Sequence, residues 1–149
     1  MSNMEERLQT DLMSAMKSHN EILVGALRST KTAIQNEKTS GSYHELTDAD
    51  VVKIIQKQIK QRLESEEIYS QNNRPELAEK ERNERLALEV YVPKMLAEDE
   101  LKSIIDRLVT ELNASSMKDM GKVFKTLNER YPNQIDSKIA SPYIRAKLS

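Results

Sequence analysis

An all-α fold of two helical domains is what this sequence predicts, on three observations. Charged residues fill 32% of the 149 positions and aromatics 4%, with only three glycines and four prolines. A sheet protein would want more aromatic and β-branched residues and more turn glycines. Apolar residues recur at three- and four-residue intervals, the period of an amphipathic helix, and there is no β-hairpin signal and no internal repeat. Val92-Pro93 then breaks the pattern, because the residue before a proline is pushed out of the α region. The break separates a larger N-terminal helical domain, residues 1–93, from a small C-terminal three-helix domain, residues 94–149.

The elements follow in order. Residues 3–18 form a first helix with Leu8, Leu12, Ala15 and Met16 on one side. Ser18-His19-Asn20 is a short break, and a second helix runs from about Glu21 to Lys38 with Leu23, Ala26, Leu27, Thr30, Ala33 and Ile34 at helical spacing. Thr39-Ser40-Gly41-Ser42 is the clearest loop. The next start is strongly signalled: Thr47 caps, Asp50 is its box partner, and Leu46 with Val51 forms a hydrophobic staple. Val51, Ile54, Ile55, Gln58, Ile59 and Arg62 make the stripe of that helix. Gln71 to Arg74 is a turn, and Pro75 sits where a first-turn proline is tolerated. A densely charged helix follows to about Tyr91, carrying Leu77, Leu86, Leu88 and Val90. Two charged helices on a short turn make an antiparallel hairpin, either salt-bridged within itself or presenting a face to a partner.

Beyond Pro93, Glu98-Asp99-Glu100 supplies an acidic first turn suited to the helix dipole. Leu101, Ile104, Ile105, Leu108, Val109 and Leu112 then give the best amphipathic helix in the chain, with Asn113 as a left-handed cap. Another helix runs from Ser116 to Tyr131-Pro132. A last one starts near Asp136 with Ile139, Ile144 and Leu148 as apolar positions, and Pro142 falls where it would kink or delay it.

Composition excludes several classes. With no cysteine there are neither disulfides nor thiolate metal sites. No apolar run approaches a membrane span, and Met1 to Lys17 is charged and amphipathic, unlike a secretory signal, so the expectation is a soluble, cytoplasmic protein with no membrane partner. Asn113-Ala114-Ser115 matches a glycosylation sequon, which matters only to an exported chain. The net charge of −1 is not that of a general polyanion binder. Residues 1–93 hold 13 Lys and Arg against 16 Asp and Glu, whereas residues 115–149 hold seven against three. The last third therefore has the charge for a local basic face.

The stretch Ser115-Ser116-Met117-Lys118-Asp119-Met120-Gly121-Lys122-Val123-Phe124-Lys125 carries the candidate site. Ser116 can cap, with Asp119 as the acid that reaches back to the cap N–H. Met117, Met120, Phe124 and Leu127 form an expected buried stripe, and Lys118, Lys122 and Lys125 form another stripe. Gly121 costs such a helix about 1 kcal/mol relative to Ala, which points to close approach by another backbone or a ligand. Free N–H groups at a helix start beside lysines make a place for a phosphate.

These residues also carry a resemblance. Ser115 to Val123 resembles the signature of the GatB/YqeY family, which comprises small free-standing YqeY-like proteins and the C-terminal tail of the B subunit of the glutamine-dependent tRNA amidotransferase. Ala26-Leu27-Arg28 with Ala33-Ile34-Gln35-Asn36-Glu37 resembles a second family helix. Thr47 to Val51 with Ile55 to Arg62 resembles a third, and Tyr91-Val92-Pro93 with Leu96 and Glu98 resembles the inter-domain junction. Asp136-Ser137-Lys138-Ile139-Ala140-Ser141 is similar to the closing motif. It departs from that motif at Ser137, where the family has glycine, and at Pro142. The resemblance implies two helical domains, the smaller C-terminal, and a tail domain that engages tRNA in the amidotransferase.

Catalysis finds little footing. Ser115-x-x-Lys118 formally matches a serine–lysine nucleophile pair, but this helical chain offers no relay residue and no oxyanion hole. His19 and His44 are isolated, and Glu64-Ser65-Glu66-Glu67 is the run of a solvated helix face. No catalytic residue, metal or cofactor is therefore expected. The expectation is a non-catalytic module that binds tRNA or assists glutamine-dependent tRNA amidation, at most as an accessory to a carbon–nitrogen ligase. Its phosphate-binding residues are Ser116, Lys118, Gly121, Lys122, Lys125 and Lys138, with Arg145 as an outlying addition. Charge alone is equally the mark of a solubilising face. The alternative is a protein-interaction adaptor that docks the charged residues 47–91 on an amidotransferase or another protein.

Overall fold

A computed structural model describes residues 1–149 as seven α-helices and one 3₁₀ turn, with no strand. The all-α expectation holds. The chain divides into two compact units, Met1–Val92 and Pro93–Ser149.

The first unit contains α1 (Asn3–Lys17), α2 (Glu21–Lys38), α3 (Asp48–Gln71) and α4 (Pro75–Glu89). Ser2 Oγ accepts from the Glu5 N–H at 3.2 Å to start α1. His19 turns left-handed at φ 56° to end the break, and Asn20 caps α2 by accepting from the Leu23 N–H. The box at Thr47 is complete: Asp50 N–H donates to Thr47 Oγ1 at 3.2 Å and Thr47 N–H to Asp50 Oδ2 at 3.0 Å. Leu46 and Val51 are both buried, as a staple requires. Leu8, Leu12, Ala26, Leu27, Ile34, Val51, Ile55, Leu88 and Tyr91 form the core with Leu46.

Not every apolar position of these helices lies in it. Met16 on α1, and Leu77, Leu86 and Val90 in the α4 segment, are exposed, and α4 ends at Glu89. Arg62, one turn beyond the α3 core stripe, reaches Glu81 and Glu84 of α4 through Nη1, and Arg85 of α4 answers with Glu66 of α3. Charge, more than apolar contact, thus ties the later turns of α3 to α4.

The second unit contains α5 (Glu98–Glu111), the 3₁₀ turn Met117–Asp119, α6 (Met120–Arg130) and α7 (Ser137–Leu148). Its core is Leu101, Ile105, Leu108, Val123, Leu127, Ala140, Ile144 and Leu148. Asn113 adopts φ 54°, the left-handed cap expected of it. Tyr143 O–H donates to Asp106 Oδ1 at 2.6 Å, and Lys147 lies 3.0 Å from the same oxygen, so α7 is fastened to α5 by a polar cluster as well as by its core. Leu96 N–H donates to the Gln134 carbonyl at 2.9 Å, which holds the segment before α5 against the α6–α7 loop.

Two expectations are corrected in this unit. The single helix from Ser116 is instead a 3₁₀ turn followed by α6 from Met120. Met117, in the 3₁₀ turn and outside α6, is 44% exposed, while Val123, absent from the expected stripe, is fully buried on the same face of α6 as Leu127. Met120 and Phe124 pack at the core margin. Pro142 does not delay the last helix, which is continuous through it from Ser137 to Leu148. The proline lacks the N–H that would have met the Lys138 carbonyl, and the buried Ala140 and Ile144 flanking it hold the turn.

Candidate nucleic-acid interface

The candidate site is built on the loop that follows α5. After Asn113 turns the chain, Ser115 and Ser116 run into the 3₁₀ turn. Asp119 reaches back, its Oδ2 accepting from Ser115 N–H at 2.9 Å and Ser116 N–H at 3.3 Å. Those donated hydrogen bonds, with the nearby Lys122 ammonium, hold the Asp119 carboxyl below its ordinary range. The N–H groups of Ser115 and Ser116 are therefore taken by a carboxylate, and the Asp119 N–H donates to the Ser116 carbonyl.

Helix α6 sorts those side chains cleanly. With Val123 and Leu127 inward, a turn of about 100° per residue places Gly121, Lys122 and Lys125 on the outer side. Ser116, Lys118, Gly121, Lys122 and Lys125 are all exposed. Glu129 shares the outer side of α6, so the basic stripe ends there. Lys138 is also exposed but belongs to the first turn of α7, where its backbone N–H donates to Asp136 Oδ1 at 3.0 Å. α7 packs on both α6 and the 3₁₀ turn.

The ion pairs of this unit are Lys102–Glu98, Arg130–Glu111 and Lys147–Asp106. None of them involves Lys118, Lys122, Lys125, Lys138 or Arg145. Arg130 and Lys147, which count toward the basic total of the last third, are spent inside the fold. The pairing raises the basicity of both and depresses Glu111, while Asp106 is depressed first by the Tyr143 hydrogen bond and then by Lys147.

Gly121 requires a correction. A Cβ built there meets no atom within 4 Å, so no part of the chain approaches it. The serine–lysine pair gains nothing either, since no hydrogen bond joins the Ser115 hydroxyl to Lys118, and the Ser115 N–H is committed to Asp119. His44 Nδ1 lies 3.0 Å from the Ser42 carbonyl oxygen, a local loop contact. No helix is long and apolar enough to cross a membrane.

Comparison with known proteins finds relatives over most of the chain. "Altered inheritance of mitochondria protein 41, mitochondrial" of Clavispora lusitaniae (strain ATCC 42720) is 28% identical over 125 residues, which cover 82% of this chain and 72% of that protein. The family model described as Yqey-like protein matches residues 5–148, which takes in all seven helices except the first two residues of α1. The chain belongs to the YqeY-like family.

Proposed function

We propose that this protein is a non-catalytic helical module that engages the phosphate backbone of tRNA through its Pro93–Ser149 unit, as an accessory to glutamine-dependent tRNA amidation. One observation carries the reading: Lys118, Lys122 and Lys125 are exposed on the turn and α6 and take part in none of the unit's ion pairs. Family membership supports it through the likeness to the amidotransferase tail. Lysine contacts to phosphate position a nucleic acid without reading its sequence, so selection among RNAs falls to shape.

The test is a titration of the full chain against bulk tRNA and a length-matched DNA duplex at two salt concentrations. Tighter binding to tRNA is expected. A Lys118→Glu, Lys122→Glu double variant should lose it and flatten the salt dependence by a slope of about 1 to 2. Equal, weak binding to both polymers would reduce the site to general charge, and no binding would overturn the reading.

The second reading, an adaptor that uses residues 47–91, is favoured by the exposure of Leu63, Ile68, Leu77 and Leu86 on α3 and α4. It predicts a protein partner retained by the Lys118→Glu, Lys122→Glu variant and lost on Ile68→Lys.

A further inference from the structure

The outer side of α3 carries a second basic stripe. Lys53, Lys57 and Lys60 are all exposed, opposite the buried Val51 and Ile55. At four- and three-residue spacing they fall within about 60° of arc. The ion pairs of α3 run from Arg62 and Glu66 to α4 and leave these three lysines out. Asp50, at the start of the stripe, is engaged in the Thr47 cap.

The segregation of charge is local, since the exposed Glu64 and Glu67 continue the same arc of α3 beyond the three lysines. Val51–Leu63 holds four Lys and Arg and no acid, inside a unit with thirteen Lys and Arg against sixteen Asp and Glu. Outside that stretch the unit has nine against sixteen. A solubilising face needs no such separation, and α4 shows the ordinary pattern, with Glu79, Lys80, Glu81, Arg82, Glu84 and Arg85 interleaved. Like charges at this spacing repel and weaken the helix that carries them. An external polyanion would relieve that repulsion. Lys53 to Lys60 spans about 10 Å at 1.5 Å per residue, a length over which one strand of a duplex presents about three phosphates.

We infer that this face of α3 is a separate contact for an RNA phosphate backbone, with Lys53, Lys57 and Lys60 each facing a phosphate. The inference rests on the reading that the protein binds RNA, and it adds a site that the C-terminal lysines do not include.

The full chain is titrated with tRNA over a series of salt concentrations in four forms. These are the unaltered protein, Lys53→Gln/Lys57→Gln/Lys60→Gln, Lys118→Glu/Lys122→Glu, and a control Lys17→Gln/Lys31→Gln/Lys80→Gln that removes three exposed lysines elsewhere. Glutamine keeps nearly the helix propensity of lysine, and far-ultraviolet circular dichroism and melting temperature verify the fold of each form. The α3 variant is expected to bind at least tenfold more weakly at low salt, with its salt slope reduced by about 2, while the control stays within twofold of the unaltered protein. Binding by the α3 variant within twofold of the unaltered protein, or an equal loss in the control, overturns the inference. Loss in the Lys118/Lys122 variant alone overturns it and leaves the C-terminal site standing. Loss in the α3 variant alone upholds it and removes that site. Failure of the unaltered protein to bind overturns both.

Discussion

Lys38 Nζ stands 2.6 Å from Glu5 Oε2, joining the last residue of α2 to the first turn of α1, and both side chains are buried. Glu45 Oε2 lies 3.5 Å from the same ammonium, so the loop after α2 closes over the pair. Removing one partner strands the other charge away from water. Lys38→Met is therefore expected to cost about 3 kcal/mol in denaturant unfolding at neutral pH, and adding Glu5→Gln should recover part of the loss. The Glu5 hydrogen bond raises the Lys38 pKa above its ordinary 10.5. Its contribution is then fully present below that pH and is lost as pH rises through the higher folded value. The gap in stability between the unaltered chain and the double variant should narrow in strongly alkaline solution.

At the acid end the second unit should respond most. Asp106 is depressed chiefly by the Tyr143 hydrogen bond, Glu111 by Arg130, and Asp119 by the Ser115 and Ser116 N–H groups. A lowered folded pKa means that the unfolded chain binds protons first. Stability is thus complete above the ordinary values of 3.8 and 4.5 and is lost as pH falls through the lower folded ones. Thermal melts at pH 7, 4 and 3 should show a steepening loss, shallower in Asp106→Asn. An equal acid response in the variant would remove Asp106 from the account.

Local signals were legible in the sequence and non-local ones were not. The Thr47–Asp50 box, the Leu46–Val51 staple and the left-handed Asn113 each depend on residues within a few positions, and all three stand in the structure. The Glu5–Lys38 pair bridges 33 residues, and each partner, in a charged helix, reads as solvated. Met117 stands apart because it belongs to a 3₁₀ turn that winds about 120° per residue, not to the α-helix whose phase of about 100° the expected stripe follows. Val123, three residues after Met120 and four before Leu127, was legible from spacing within α6. At the site, the lysines of α6 could be found from spacing alone. The seizure of the loop N–H groups by Asp119 was half legible, since the capping box named the acid but not its second donor, Ser115. Averaging charge over the first 93 residues concealed the stripe on α3.

Gly121 separates a folding role from a binding one. With open space where a Cβ would stand, Gly121→Ala removes backbone freedom from the unfolded chain without a clash. A gain of about 0.5 to 1 kcal/mol in stability is expected from differential scanning calorimetry. A loss of stability would show that the glycine serves the fold after all. If tRNA affinity falls while stability rises, the RNA itself approaches the backbone between Lys118 and Lys122.

Pro142 offers the sharpest contrast between local propensity and tertiary context. It stands in the middle of α7 with its ring exposed, and the Lys138 carbonyl, one turn earlier, has no N–H to accept from at this position. The helix nevertheless stays continuous, because Ala140, Ile144 and Leu148 are buried against α5 and α6 on its other side. Pro142→Ala restores the missing donor and removes the ring from the Lys138 carbonyl, while touching none of those core residues. Stability should rise by about 1 to 3 kcal/mol, the range set by a proline in a helix interior less the entropy it removes from the unfolded chain. Unfolding by denaturant with an unchanged m-value would assign the gain to the folded helix. A neutral or destabilising result would mean that α7 has already relaxed around the ring, with the Lys138 carbonyl hydrogen-bonded elsewhere.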